Sequence, residues 1–194
     1  MVIVRSMDIV PADEAPWDDI AAIFGTADYA SRCQCQRFKV AGWIWRDSTQ
    51  EQRIASLRAQ TAAGSGLVGY VDGEPVGWVA VEPRVAYPKL RTSRVPWSGR
   101  DEDKDDADVW AVTCFVVRKG FRGRGLTYRL ALATIDFARS RGAKALEAYP
   151  MLTEPGKEIT WGELHVGARQ VFADAGFEEV SAPTVRRVVM RIDF

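Results

Sequence analysis

The sequence predicts an α/β fold, a β-sheet flanked by helices, and three stretches carry that expectation. GLVGYVDGEPVGWVAVEP, at 66–83, holds two short apolar runs around Asp72-Gly73, a strong hairpin signal. VWAVTCFVV, at 109–117, is a nearly continuous apolar and β-branched run, the pattern of a central strand covered on both faces. The third stretch follows directly, where VRKGFRGRG leads into a helical period. A chain of 194 residues, 47% of them apolar, can bury one good core, so residues 1–194 are expected to form a single domain.

The elements follow in order. DEAPWDDIAAIFG sets Trp17, Ile20 and Ile23 or Phe24 at helical spacing, with acids in the first turn and Gly25 as a stop. A second helix is expected over 48–63, opened by a capping box of Ser48 and Glu51, with Ile54, Leu57 and Thr61 on one face. The hairpin strands are placed at 66–71 and 76–82, with Glu74 and Pro75 lengthening the connection beyond two residues. Residues 84–108 show no period and carry the acidic run DEDKDD, which reads as a long surface loop. After the central strand, Leu126, Leu130, Ala133 and Phe137 form a helical stripe over 126–141, widened by Ala131, Ile135 and Ala138 and ended by Gly142. A strand at 144–149, a helix at 166–175 closed by Gly176, and a strand pair at 177–180 and 185–192 complete the chain.

Composition narrows the function. Lys plus Arg equals Asp plus Glu at 26 each, so no overall field draws the protein to nucleic acid or to anionic membrane. MVIVRSMDIVPADEAP lacks the pattern of an export signal, and no apolar run approaches the roughly 18 residues of a membrane helix, which predicts a cytoplasmic protein. Cys33, Cys35 and Cys114 give an odd count and read as free thiols.

Any anion must then be bound locally, and residues 118–128 are suited to it. A strand that passes through a glycine-rich turn into a helix presents unpaired N–H groups and the positive end of the helix dipole at one place. Arg118, Arg122 and Arg124 add planar forks that match phosphate. The plain alternative is a tight turn with solvated arginines. A nucleotide P-loop needs Lys and then Ser or Thr after its last glycine, and Gly125 is followed by Leu126-Thr127. A dinucleotide fingerprint runs G-x-G-x-x-G and opens a βαβ half, whereas here two helices and a hairpin come first. RNA binding through RKGFRGRG is opposed by the neutral net charge and by the helical continuation.

VVRKGFRGRGLTYRLALATIDFARSRGAKALEAY, at 116–149, resembles the GNAT superfamily of acyl-coenzyme A dependent acyltransferases: signature strand, Arg/Gln-x-x-Gly-x-Gly/Ala loop, helix and next parallel strand. Arg122 opens the signature and Gly125 is its first required glycine, while Thr127 departs from the usual Gly or Ala. ARQVFADAGFEEV, at 168–180, resembles the family's C-terminal helix and its Ala-Gly-Phe exit, and CQC, GYVDGEPVGWVAVEPR and EAYP look like a bacterial subgroup of unknown substrate. The resemblance implies a mixed, mostly antiparallel central sheet in which two splayed parallel strands, 109–117 and 144–149, form a coenzyme A cleft. It implies an N-acetyltransferase in which an amine, on a small molecule or a protein, attacks acetyl-CoA directly in a ternary complex, with no metal. A homodimer is compatible with it. Pantetheine would pair near Phe115, Val116 and Val117, where an N–H would stabilise the oxyanion. The diphosphate would sit on the N–H groups of Arg122, Gly123, Arg124, Gly125, Leu126, Thr127 and Tyr128.

Acid–base roles are less marked. The family's thiolate-protonating tyrosine falls at Phe172, so Tyr149 or His165 serves instead, or the thiolate leaves unassisted. Glu147, on the strand flanking the cleft, is the first choice of base and Glu82 the second, with a salt-bridged strand-end carboxylate as the alternative for each. Trp161 and Glu163 stand near His165 and are candidates to line an acceptor pocket, and DEDKDD would attract a cationic acceptor. Cys33 and Cys35 lack the further His or Cys ligands that a zinc site needs, and Cys114 reads as a small core residue. A non-catalytic acyl-coenzyme A binding or sensing domain is the alternative function, kept open by Phe172.

Overall fold

The alternation of apolar residues along the predicted strands is realised in one mixed sheet. The computed structural model describes residues 6–26, 28–154 and 156–194, with the side chains of Asp28 and Trp161 outside the description. The N-terminal stretch weighed above as an export signal falls in part on residues 1–5, also outside it. Among the described residues the strands are β1 (Asp8–Pro11), β2 (Leu67–Val71), β3 (Glu74–Pro83), β4 (Val109–Val117), β5 (Ala145–Ala148), β6 (Glu178–Thr184) and β7 (Arg187–Asp193). Their order is β1-β2-β3-β4-β5-β7-β6, and every described pairing is antiparallel except β4 with β5.

The β2–β3 hairpin is tighter than expected. Asp72 and Gly73 take φ of 51° and 79°, so Val71 already pairs with Glu74 across a two-residue turn. That left-handed pair twists with the strands, and Pro75 fits because it lies opposite Tyr70, where the register shifts.

Helix α1 (Trp17–Gly25) buries Ile20, Ile23 and Phe24. Two short helices, α2 (Asp28–Cys33) and α3 (Gly42–Asp47), follow without a sequence signal of their own. The capping box of α4 (Gln50–Ala62) is Thr49 with Gln52, one residue beyond the expected pair: Gln52 N–H donates to Thr49 Oγ1 at 3.2 Å and Thr49 N–H to Gln52 Oε1 at 2.8 Å. Residues 84–108 do more than cover a surface. They open with a 3-10 turn at Arg84–Ala86 and helix α5 (Pro88–Thr92), and bury Arg84, Tyr87 and Leu90.

Helix α6 (Leu126–Ser140) lies across β3 and β4 and buries its apolar stripe against them. After β5 come α7 (Trp161–Leu164) and α8 (Arg169–Asp174). The expected start at 166 is too early, because Gly167 takes φ of 88° and Met151 and Ala168 form a parallel bridge that keeps the chain extended. The core has two main layers. Val79, Val81, Phe115, Leu146 and Met190 pack with α6 and α8 on one face of the sheet, and Trp78, Ala80, Cys114 and Val116 pack with α1 and α4 on the other. Among the described residues no helix is long and apolar enough to cross a membrane.

Leu130 is fully buried on α6 and lies over Gly69 and Gly77, with the Met7 methyl beside it. Leu130→Ala is therefore expected to cost about 2–5 kcal/mol in urea denaturation.

Candidate active site

The turn after β4 is built from left-handed glycines. Gly120, Gly123 and Gly125 take φ of 93°, 73° and 74°, and a Cβ at any of the three would meet nothing within 4 Å, so this side of the turn is open. Gly125 is the N-cap of α6 and offers no side-chain acceptor, and no acid lies in the helix's first turn. The N–H groups of Leu126 and Thr127 thus start α6 without an intrahelical acceptor, whereas that of Tyr128, expected to serve the diphosphate, already donates to the Gly125 carbonyl at 3.2 Å. No acidic residue occurs between Asp108 and Asp136, while Arg118, Lys119, Arg122, Arg124 and Arg129 do. Two of these cations brace the turn: Arg122 Nε donates to the Val117 carbonyl at 3.1 Å and Arg124 Nη2 to that of Gly120 at 2.9 Å. Such a turn stabilises a phosphate-like anion.

Beside it the single parallel pair comes apart. β4 and β5 run together from Val109 opposite Ala145 to Val112 opposite Ala148, where β5 ends and β4 continues to Val117. On its other edge β4 bulges at Thr113, because Val112 pairs with Val81 and Cys114 with Ala80. The parted edge is partly filled. Phe115 N–H donates to the His165 carbonyl at 2.7 Å, so the main-chain donor expected to serve pantetheine or an oxyanion at Phe115 already has an acceptor. Arg118 N–H bonds Val76 on the β3 side, so by alternation Val116 also faces β3 and Val117 faces the parted side.

A mixed sheet with one parting parallel pair, followed by a basic glycine turn and a helix, is a family's geometry as well as a site. The Acetyltransferase (GNAT) family model matches residues 27–154, well over half of the chain. The chain belongs to the GNAT acetyltransferase family. Membership makes it an acetyl-CoA dependent acyltransferase. No curated protein matches it. Among solved structures it is similar to an N-acetyltransferase from Staphylococcus aureus Mu50 (14% identity, TM-score 0.56, covering 97% of this chain and 98% of that one). It is also similar to a ribosomal-protein-alanine N-acetyltransferase from Brucella melitensis (17%, TM-score 0.55, 96% and 99%). A third likeness is to YncA, a putative acetyltransferase from Salmonella typhimurium with its cofactor acetyl-CoA (18%, TM-score 0.53, 97% and 94%). At these identities the likeness is one of fold.

The GNAT chain treats its expected acid–base residues unlike exchangeable groups. Glu147 is completely buried. Arg84 Nη1 reaches its carboxylate at 3.1 Å, Arg191 Nη1 at 2.8 Å, the Tyr149 hydroxyl donates to it at 2.9 Å, and Arg100 Nη2 also bonds it. Burial pushes the Glu147 pKa up, but the hydrogen bond and charge of Arg100, the charge of Arg84 and the Tyr149 hydroxyl outweigh it and hold the carboxyl below its usual range. That is the reverse of what a base for an amine requires. Tyr149 is buried with its hydroxyl committed to Glu147, and burial and the Glu147 charge raise its pKa well above the ordinary phenol.

His165 also proves structural in its surroundings. Its Nδ1 donates to the Gly162 carbonyl at 2.9 Å, its ring lies 6.0 Å from Phe38 and 6.3 Å from Tyr29, and its own carbonyl holds Phe115 N–H. Burial lowers its pKa to about 4, so it is a neutral imidazole at physiological pH and no ready acid. Phe172 is completely buried, 5.7 Å from Phe115 and 5.3 Å from Phe177 between ring centroids. Glu163 pairs with Arg186 at 3.0 Å, and the Trp161 side chain lies outside the described residues.

Sequence reasoning missed Lys39 and Tyr87. Lys39 Nζ pairs with the Glu82 carboxylate and lies 4.5 Å from the centroid of the Tyr87 ring. The signal was thin, since 43 residues separate the ion pair and Tyr87 falls in a stretch without a period. Cys33, Cys35 and Cys114 are free, and among the described residues no group of three or more His, Cys, Asp or Glu side chains could hold a metal ion.

Two outcomes follow from these environments. Glu147→Gln leaves Arg84 and Arg100 buried beside a neutral amide and is expected to cost about 3–5 kcal/mol of stability, measured by denaturant unfolding. His165 is held neutral when folded, so between its unfolded pKa of about 6.5 and its folded value of about 4 the unfolded chain binds the extra proton and stability is lost as pH is lowered. The loss should reach about 2 kcal/mol from pH 7 to pH 5, and should flatten in His165→Asn.

Proposed function

We propose that residues 1–194 form one cytoplasmic N-acetyltransferase domain that transfers acetyl from acetyl-CoA to a primary amine, on a small molecule or a protein, by direct attack in a ternary complex. The observation that carries this is the open turn at 118–128, which holds no acid of its own and meets Glu74 only at Arg118, 3.5 Å away, beyond a parallel strand pair that stops pairing at Val112 and Ala148. The acetyl-CoA of the Salmonella neighbour supports the choice of donor. The diphosphate sits on the N–H groups of Arg122 to Thr127, where glycines leave room and the helix dipole adds charge. Pantetheine runs along the parted edge and meets main chain at Val117, displacing Arg122 Nε from that carbonyl. The thioester then lies beside the Thr113 bulge.

The chemistry asks little of an acid. A thiol has a reference pKa near 8.5, so the departing thiolate needs only modest help at neutral pH, and Phe172 is tolerated where the family places a tyrosine. Glu147 and Tyr149 act as positioning groups that fix β5 against residues 84–103, and His165 holds the main chain at Phe115. The proton of the acceptor ammonium goes to Glu82, whose side chain is 16% exposed on the opposite face of the sheet from α6. A non-catalytic acyl-CoA binding domain is the second reading, favoured by Phe172, a buried ring between Phe115 and Phe177 with no proton to give.

Screening amines with acetyl-CoA while following free thiol separates the two, because only the enzyme releases coenzyme A. Gly125→Asp, which sets a carboxylate on the turn at a φ that strains any side chain, should weaken acetyl-CoA binding in calorimetry at least tenfold. Unchanged affinity in that folded variant would remove the donor site from the turn. Phe172→Tyr should change turnover less than about threefold. A rise of about a hundredfold, in the range of acid catalysis, would favour the binding-domain reading for the natural chain.

A further inference from the structure

Lys39 occupies a built cation seat on the face of the sheet away from α6. Its side chain is 10% exposed and that of its partner Glu82 16%, while Tyr87, under the ammonium, is 1% exposed. A carboxylate joined to an aromatic face is a general means of recognising an ammonium group. Lysine is seldom buried this far, and a lone exposed ion pair adds under about 1 kcal/mol, so stability alone gives little reason to draw the head inward.

Its place matters more than its strength. Glu82 stands opposite Ala111, and its neighbour Val81 stands opposite Val112, the last residue of β4 that pairs with β5. Lys39 Nζ is thereby held at the level where the strands part. The loop that carries it is fixed on both sides, since Lys39 N–H donates to the Gln36 carbonyl at 3.0 Å and Lys89 N–H to that of Phe38 at 3.1 Å.

We propose that Lys39 is an acetyl acceptor within its own chain, modified in cis from acetyl-CoA; this rests on the function proposed above. Glu82 takes one proton from the Lys39 ammonium, and the free amine attacks the thioester carbonyl carbon. The C–S bond breaks, its electron pair stays on sulfur, and the thiolate takes the second proton that nitrogen gives up. The products are N-acetyl-Lys39, coenzyme A and the proton held by Glu82. Acetyl-Lys39 is neutral, so once Glu82 passes its proton to solvent the carboxylate has lost its internal partner and can pair with an external ammonium.

The test incubates the whole purified chain with acetyl-CoA, follows intact mass, and maps acetyl groups by peptide mass spectrometry. Lys39 should gain one acetyl group at least tenfold faster than the exposed Lys144 and Lys157. Gly125→Asp should reduce Lys39 to the rate of those two, Glu82→Gln should slow it about a hundredfold, and Lys39→Arg should remove the fast phase entirely. If Glu82→Gln does not fold, Lys39→Arg and Gly125→Asp decide. Should acetyl-CoA bind in calorimetry while Lys39 reacts no faster than Lys144 and Lys157, Lys39 is a structural counter-ion and the proposed function stands without it. Should acetyl-CoA not bind at all, the proposed function falls and takes this inference with it.

Discussion

A parallel strand pair that stops pairing before one strand ends leaves main-chain donors and acceptors that something must satisfy. Most of this molecule answers that constraint. Upstream, Glu147 on β5 draws in Arg84 and Arg100 from residues 84–103 and Arg191 from β7, which ties both segments to the paired half of β4 and β5. Downstream, no such clasp exists among the described residues, and the parted edge of β4 is met by the His165 carbonyl at Phe115 and by Arg122 Nε at Val117.

The same division explains how much was legible in the sequence. The hairpin, β4, the glycine turn and α6 carry local signals: two left-handed turn residues, an unbroken apolar run, and a stripe at helical spacing. The candidate anion site lies wholly inside that contiguous stretch, so its chemistry was readable. Glu147 was visible as an acid beside the cleft, but the arginines that fix its charge stand 63, 47 and 44 residues away, beyond any local period. Lys39 and Tyr87 were hidden for the same reason. The start of α8 was misjudged because the helical pattern of 166–175 is real, while Gly167 and the bridge from Met151 override its first turn. β1, with four residues and a terminal proline, has no period to detect.

Burial also separates residues that move protons from residues that hold geometry. Glu147, Tyr149 and His165 all have shifted pKa values, and each shift moves away from neutrality: the carboxyl down, the phenol up, the imidazole down. A perturbed group is a site marker only when the perturbation brings its pKa toward the working pH. Here the shifts lock one protonation state, as a scaffold requires.

Net neutrality conceals a polarity along β4. At about 3.3 Å per residue its nine residues span about 30 Å, with the acids of 101–108 before one end and the cations of 118–129 after the other. A Debye length of about 8–10 Å makes each end act locally. The acids are partly neutralised, Asp105 by Arg91, Asp106 by Lys144, and Glu102 by Arg84, Arg100 and Arg191, whereas no acid in the sequence lies near the glycine turn on either side until Asp108 and Asp136. In space Glu74 reaches Arg118 at 3.5 Å, and Arg122, Arg124 and Arg129 lie beyond that pair, where the backbone is barest. An anion placed there gains charge, dipole and hydrogen bonds at one spot, and the balancing acids serve the fold at the other end of the strand.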